Sequence, residues 1–261
     1  MRESIDGASF AQAMIHAAAS LNLQKQQINE LNVFPVPDGD TGTNMSLTLG
    51  TAAAELRKRQ PHTVGEAAAT NASALLRGAR GNSGVILSLL FRGFAKAVKD
   101  KDSIDGRDLA IALDFGVAAA YKAVMKPAEG TILTVLRDSA AAAKHARKKK
   151  MGCDEALAYV VEEAYASVQR TPDLLPVLKE NGVVDSGGYG LAILIDGFVA
   201  ALTGKEGPLV DELAFARDAA PKVEIEQIND WEGSEFTYCN EFLVDSDVLD
   251  KAEALDFLAT M

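Results

Sequence analysis

The sequence predicts an all-α fold for its first 203 residues: an eight-helix antiparallel up-and-down barrel or bundle, followed by a linker and an incomplete α/β fragment. Three observations carry this. Alanine, leucine and paired apolar residues recur at three- and four-residue spacing almost throughout. β-branched alternating runs are scarce before residue 203. The connections between periodic segments are short, which favours antiparallel neighbours.

The pattern places helices over 8–31, 43–58, 65–77, 83–98, 106–125, 131–148, 153–169 and 187–203, with a short extra turn at 173–180. The segment from Ser83 to Lys99 is apolar on nearly every side, with Val85, Leu87, Leu90, Phe91 and Phe94, and so should be central. The helix over 187–203, with Leu191, Ile193, Leu194, Phe198 and Val199, should be similarly buried. Residues 1–203 therefore form one helical domain. Residues 204–232 contain prolines and charges and read as a linker. Within 233–261, Phe236–Val244 reads as a strand, and Leu249, Ala252, Leu255 and Leu258 mark a helix over 247–260. A lone strand and helix cannot pair the strand's backbone groups, so this is the expected opening of a further domain that the chain does not complete.

Composition narrows the function. A net charge of −11 argues against nucleic acid, which asks for a basic face. The one basic run, Lys144 to Lys150, lies where a helix should end, and cations there complement the helix dipole. The N-terminal residues lack the apolar core of a signal peptide. No stretch approaches the ~20 apolar residues of a membrane span, so no stable membrane insertion is expected. Cys153 and Cys239 have no metal-ligand spacing and suggest no disulfide scaffold. The reading is a cytoplasmic protein, compatible with a homodimer.

Residues 32–46 carry the strongest functional signal. Pro35 and Pro37 stiffen an approach to Asp38 and Asp40, which are separated by Gly39. Thr41, Gly42, Thr43 and Asn44 follow, offering oxygens and amides where a helix could begin. Hard oxygen ligands beside a helix N-terminus suit Mg²⁺ together with a phosphate. The bland alternative is a turn and an N-capped helix with both aspartates solvated.

Similar helix starts recur. They are Gly78 to Gly84 (with Arg80, Asn82 and Ser83), Glu129-Gly130-Thr131, and Val184 to Gly188 (with Asp185, Ser186 and Gly187). In an up-and-down bundle alternate helices begin at the same end, so all four starts should converge on one face. Gly78 to Gly84 is no Walker A loop, lacking its Gly-Lys-Ser/Thr ending. It could bring backbone close to phosphate or merely pass from a C-cap to an N-cap. Arg80 could reach a phosphate or be a surface charge. Thr131 could contact phosphate or cap its helix. Asp185 to Gly188 could be a capped turn or a wall of a nucleotide pocket, holding ribose or phosphate. The histidines, His16, His62 and His145, lie in no catalytic arrangement. Phosphoryl transfer needs little covalent help, since positioning and charge neutralisation carry most of it.

These residues resemble a known family. Asn32 to Met45, Gly78 to Gly84 and Val183 to Gly190 together look like the nucleotide-binding domain of bacterial fatty acid kinase, related to the ADP-binding domain of dihydroxyacetone kinases. The likeness covers about residues 5–203, and the Phe236 to Phe242 segment resembles the start of that kinase's middle domain. It implies an eight-helix antiparallel barrel that binds Mg²⁺–ATP at one end. It also implies an acceptor fatty acid carried by a separate fatty-acid-binding protein and converted to an acyl phosphate. By position, Asp38 and Asp40 would be metal ligands and, with Arg80, the catalytic set. Asn32 stands nearest a third ligand. Thr41, Gly42, Thr43, Asn44, Asn82, Ser83, Gly84, Thr131, Asp185, Ser186 and Gly187 would line the nucleotide. Dihydroxyacetone kinases have a third aspartate ahead of the pair and a histidine just after it; here Asn32 and Thr41 are the nearest counterparts. Two other readings remain: an ADP-binding subunit of a dihydroxyacetone-type kinase, and a non-catalytic helical scaffold.

Overall fold

Five helices begin on a side chain that accepts a hydrogen bond from its own first turn. Asp6, Thr63, Asp105, Thr131 and Asp185 take the amides of Ser9, Glu66, Asp108, Leu133 and Gly188. Each satisfies a donor that a helix start leaves open. At Thr63 the Glu66 side chain reaches back and completes a capping box. These caps break the chain into helices that are otherwise joined by short loops.

The computed structural model describes residues 4–204. Its helices are α1 (Gly7–Glu30), α2 (Thr41–Arg59), α3 (Val64–Gly78), α4 (Gly81–Ala97), α5 (Gly106–Ala123), α6 (Ile132–Lys149), α7 (Cys153–Leu174), α8 (Pro176–Glu180) and α9 (Ser186–Thr203). The all-α prediction holds. One small addition escaped it: Ile5–Asp6 (β1) pairs antiparallel with Ser103–Ile104 (β2), Ile5 opposite Ile104. Two residues are too few to leave a period in the sequence. α7 also runs on to Leu174 through Pro172, where a break was expected near 169. The short turn expected over 173–180 is therefore only α8, entered through Pro176.

Each long helix packs on the next from α1 to α7, α7 packs on α9, and α9 returns onto α1. The eight long helices thus close a ring. Neighbours run antiparallel. Tyr189 at the start of α9 donates to Gln24 late in α1, while His16 Nδ1 lies 2.9 Å from the Gly197 carbonyl further along. Lys144 late in α6 pairs with Asp114 midway along α5, and Tyr121 late in α5 donates to Glu129 just before α6. His16, with no catalytic company in the sequence, is one tie in the closing seam.

α4 and α9 supply much of the core, as their apolar circumference predicts: Leu87, Leu90, Phe94, Leu191, Ile193 and Leu194 are buried. Among the described residues Ser186–Thr203 alone is long and apolar enough to cross a membrane, and 72% of it is buried inside the fold. An apolar cavity of about 70 Å³ remains among Phe10, Met14, Phe94, Leu136, Leu194 and Phe198. The α9 helix ends at Gly204 in the left-handed conformation, φ 68°. The expected linker beyond it, the strand over 236–244 and the helix over 247–260 lie outside the described residues.

Backbones approach closely where glycine permits. A Cβ on Gly93 of α4 would lie 2.9 Å from Gly116 Cα and nearer still to the Phe115 carbonyl of α5. Gly93→Ala should therefore overpack this crossing and destabilise the protein by about 1–3 kcal/mol. Gly50→Ala, inside α2 with nothing near the added carbon, should stabilise it by about 1 kcal/mol. Urea denaturation of both variants checks the pair; equal midpoints would contradict the packing described.

Candidate functional site

Asn32 organises the aspartate loop. After α1 the chain runs through Pro35 and Pro37, turns at Gly39 (φ 65°) and enters α2 at Thr41. Buried Asn32 sits beneath this excursion. Its Nδ2 donates to Asp38 Oδ1 at 2.6 Å and to the Val36 carbonyl at 3.2 Å. Its Oδ1 accepts from Thr41 Oγ1 at 2.9 Å and from Ser186 Oγ at 3.4 Å. One amide therefore joins the loop, the start of α2 and the start of α9. Asp40 occupies the N-cap position of α2 but makes no capping bond there. Instead its Oδ2 accepts from Asn44 Nδ2 at 2.8 Å. Both carboxylates are thus aimed by asparagine amides; Asp38 is exposed and Asp40 half-buried.

Thr43 is tied backward. Asn29 accepts from its amide at 3.1 Å and donates to its hydroxyl at 3.0 Å, which locks α1 to the first turn of α2. On the other side, Thr48 Oγ1 donates to the Asn44 carbonyl at 2.7 Å and accepts from the Arg80 amide at 3.1 Å. This seats the α4 entrance against α2. Gly81 has φ 56°, a left-handed conformation that favours glycine, and a Cβ there would run into the Asn44 side chain. α4 begins at Gly81 with Arg80 as its N-cap and no side-chain cap bond. Asn82 and Ser83 therefore lie inside the first turn rather than capping it. The exposed Arg80 guanidinium donates to the adjacent Ala79 carbonyl at 2.9 Å.

The remaining two helix starts meet through Asp185. Thr131 Oγ1 caps α6 at 3.4 Å from the Leu133 amide and donates to the Ala128 carbonyl at 2.7 Å. Asp185 accepts from the Gly188 amide at 2.6 Å and also from the Ile132 amide, while its own amide donates to Thr171 Oγ1 at 3.0 Å. The carboxylate is turned inward on backbone donors, so it acts as a joint between α6 and α9 rather than as an outward wall. Its burial pushes the carboxyl up to about 7, against the pull of the two amides. A Cβ on Gly187 would lie 3.3 Å from Ile132 Cβ and 3.6 Å from Ser83 Oγ. The starts of α4, α6 and α9 therefore adjoin, and Asn32 and Thr48 bind α2 to the group.

The convergence expected from helix parity is present. Each start carries about half a positive charge and several amides without helical partners. The described residues contain no cluster of three or more His, Cys, Asp or Glu suited to a metal. Two carboxylates surrounded by amide and hydroxyl oxygens remain. That donor set fits Mg²⁺, which is usually held by one or two carboxylates with substrate phosphates and water completing its shell. Asn29, Thr48 and Thr171 were not anticipated as organisers. Their only signal is a polar residue on an otherwise buried stripe, as Thr48 is among Met45, Leu49 and Ala52.

Comparison with known proteins agrees with this architecture. Residues 35–200 match the DAK2 domain, and the chain belongs to the DAK2 domain family. It is 44% identical to an uncharacterized protein of Staphylococcus saprophyticus over 94% of its length, and 45% identical to the YloV protein of Bacillus subtilis over 92%. It spans only 44% of either relative. Its fold is similar to that of the dihydroxyacetone kinase of C. freundii, in the native form and in the complex with AMP-PNP and Mg²⁺. For both, the TM-score is 0.56 at 20% identity, over 77% of this chain and 36% or 35% of theirs.

Asp185 gives the joint a pH signature. Between a carboxyl's unfolded value near 4 and about 7, the folded protein holds a proton that the unfolded chain has released. Stability should therefore fall as pH rises through this window, by at most about 1.4 kcal/mol per unit, and level off above it. Denaturation midpoints of wild type minus Asp185→Asn, measured from pH 4 to 8, should show that slope. A flat difference would contradict the buried, protonated joint.

Proposed function

We propose that this chain is the Mg²⁺–ATP-binding domain of a kinase that transfers the γ-phosphoryl group to a fatty acid presented by a separate fatty-acid-binding protein. The observation that carries the reading is the meeting of four helix N-termini around the amide-aimed pair Asp38 and Asp40. Mg²⁺ bound there would neutralise phosphate charge, with Asp38 and Asp40 holding it. Asn32 would act by orienting Asp38, since its oxygen already accepts two hydroxyl protons. The first-turn amides of Thr41 to Asn44, of Asn82 to Gly84, and of Ser186 and Gly187 would receive phosphate oxygens. The Thr131 loop and Asp185 would fix the spacing of these amides. Arg80 would have to leave the Ala79 carbonyl to reach a phosphate. In the transfer, a carboxylate oxygen of the fatty acid attacks the γ-phosphorus while its bond to the β–γ bridging oxygen breaks, giving an acyl phosphate and ADP.

Positioning and charge neutralisation carry such a reaction, and the site contains no nucleophile of its own. The chain's length relative to its relatives supports further parts of the enzyme lying elsewhere in a longer protein. The fold likeness to dihydroxyacetone kinase favours a second reading, an ADP-binding subunit in which bound nucleotide is rephosphorylated in place. Fast exchange of bound nucleotide with free ATP would exclude it. The scaffold reading predicts no nucleotide dependence at all.

Calorimetric titration of ATP with and without Mg²⁺ tests the first reading. Metal-dependent binding should weaken at least tenfold in Asp38→Ala and in Asp40→Ala, with the helical circular dichroism retained. Unchanged affinity in both variants would overturn it. With a full-length relative and a fatty-acid-loaded carrier protein, hydroxylamine should trap the acyl phosphate, whereas dihydroxyacetone should yield no phosphate ester.

A further inference from the structure

Buried hydroxyls within the helices mostly turn back on their own backbone: Thr48, Ser139 and Thr171 each donate to a carbonyl of the helix that carries them. Thr134, fully buried in the first turn of α6, instead donates forward to Glu129 Oε2 at 2.6 Å and accepts from the Gly130 amide at 2.8 Å. Glu129 stands just ahead of α6 and gathers further donors. Its Oε1 accepts from Tyr121 of α5 at 3.2 Å, and its Oε2 also accepts from Arg137 Nη1 of α6 at 2.8 Å. Arg137 in turn donates to Asp138 at 3.1 Å, and Asp138 accepts from Ser167 at 2.7 Å and Arg170 at 3.1 Å on α7. A chain of polar side chains thus ties α5, α6 and α7 around the loop over 128–131.

The other side of that loop is walled by backbone. Gly130 has φ 81°, and a Cβ there would lie 2.8 Å from Leu175 Cβ and 2.9 Å from the Thr171 carbonyl. The loop therefore has one place to sit, wedged against α7 and held by Glu129. Half-exposed ion pairs such as Glu129–Arg137 add little to stability; these bonds fix geometry. The geometry matters downstream. Thr131 follows Gly130 directly, and the Ile132 amide donates to Asp185, the cap of α9. Displacing Gly130 would carry the starts of both α6 and α9 with it. A carboxylate at this end would also repel a polyphosphate, and the Arg137 guanidinium on Glu129 offsets that charge.

We infer that Glu129 is a positioning residue of the nucleotide site. Through Thr134 and the Gly130 amide it sets where Thr131 and the first turn of α6 stand, and through Ile132 and Asp185 it sets the start of α9. This inference rests on the nucleotide reading proposed above. Glu129 acts without touching the nucleotide: it spares the ligand the cost of ordering the loop.

Two variants separate positioning from general support. Glu129→Ala removes the clamp on the loop. Glu163→Ala cuts the same network at its far end, where Glu163 pairs with Arg170, and leaves every bond to the loop in place. Neither side chain is buried, so the helical circular dichroism should persist in both. In nucleotide-free protein, hydrogen exchange at the Gly130, Ile132 and Gly188 amides should accelerate severalfold in Glu129→Ala and keep the wild-type rate in Glu163→Ala. Unchanged exchange in Glu129→Ala, or equal acceleration in both variants, would overturn the inference. Calorimetric titration with Mg²⁺–ATP should show affinity weakened at least tenfold in Glu129→Ala and unchanged in Glu163→Ala. Glu129→Gln should restore most of it, because its amide oxygen still accepts from Thr134. Wild-type affinity in Glu129→Ala would overturn this role alone; a wild-type protein that binds no nucleotide would overturn the nucleotide reading and this role together.

Discussion

The packing of α9 on α1 is the constraint on which everything else rests. A row of antiparallel helices has two open edges, each exposing an apolar flank; joining first to last removes both. The joint is close because Gly197 lies against Ala17 and Ser20, where a Cβ would come within 3.0 Å of Ala17 Cα and Ser20 Cβ. Gly190, nearer the other end, allows a close approach to α2 instead, where a Cβ would lie 2.6 Å from Met45 Sδ. With the ring closed and the connections short, the starts of α2, α4, α6 and α9 have no choice but to share one end. The shared end follows from a topological fact before any side chain is considered.

Side chains then convert proximity into a defined site, and they do so mainly by orienting other groups. Asn32, Thr48 and Asp185 each join two or more helix starts, and Asn29 ties the end of α1 to the start of α2, by hydrogen bonds to backbone or to another polar side chain. Such networks are strong when every member is satisfied, because the low local dielectric strengthens each bond. Under the proposed function they would also account for how an acidic protein could offer a place for a polyanion: the attraction would come from helix amides and from a cation held by the two aspartates, without a basic surface.

Much of this was legible in the sequence because it is periodic or punctuated. The apolar circumference of α4 and α9 marked them as central, and the glycine and hydroxyl residues before α2, α4, α6 and α9 marked the end where those starts gather. Other features left no such trace. The β1–β2 pairing is too short for alternation to register. The continuation of α7 through Pro172 depends on tertiary packing that overrides a local breaker. Thr48 and Thr171 read as tolerated polar residues in helices; only the distance between α2 and α4, or between α7 and α9, reveals them as ties. Asp185 reads equally as a capping residue or a pocket wall because a hydroxyl- and glycine-rich turn can face either way. The Ile132 amide, brought near by the fold, turns it inward.

Hydrogen exchange of backbone amides, with and without Mg²⁺–ATP, tests the shared-end claim most directly. Thr41–Asn44, Gly81–Gly84, Ile132–Leu133 and Ser186–Gly188 are distant in sequence and joined only by the closed ring. The nucleotide should slow exchange in all four together and only when the metal is present. Protection of a single segment, or of none, would contradict a site built from four converging helix starts.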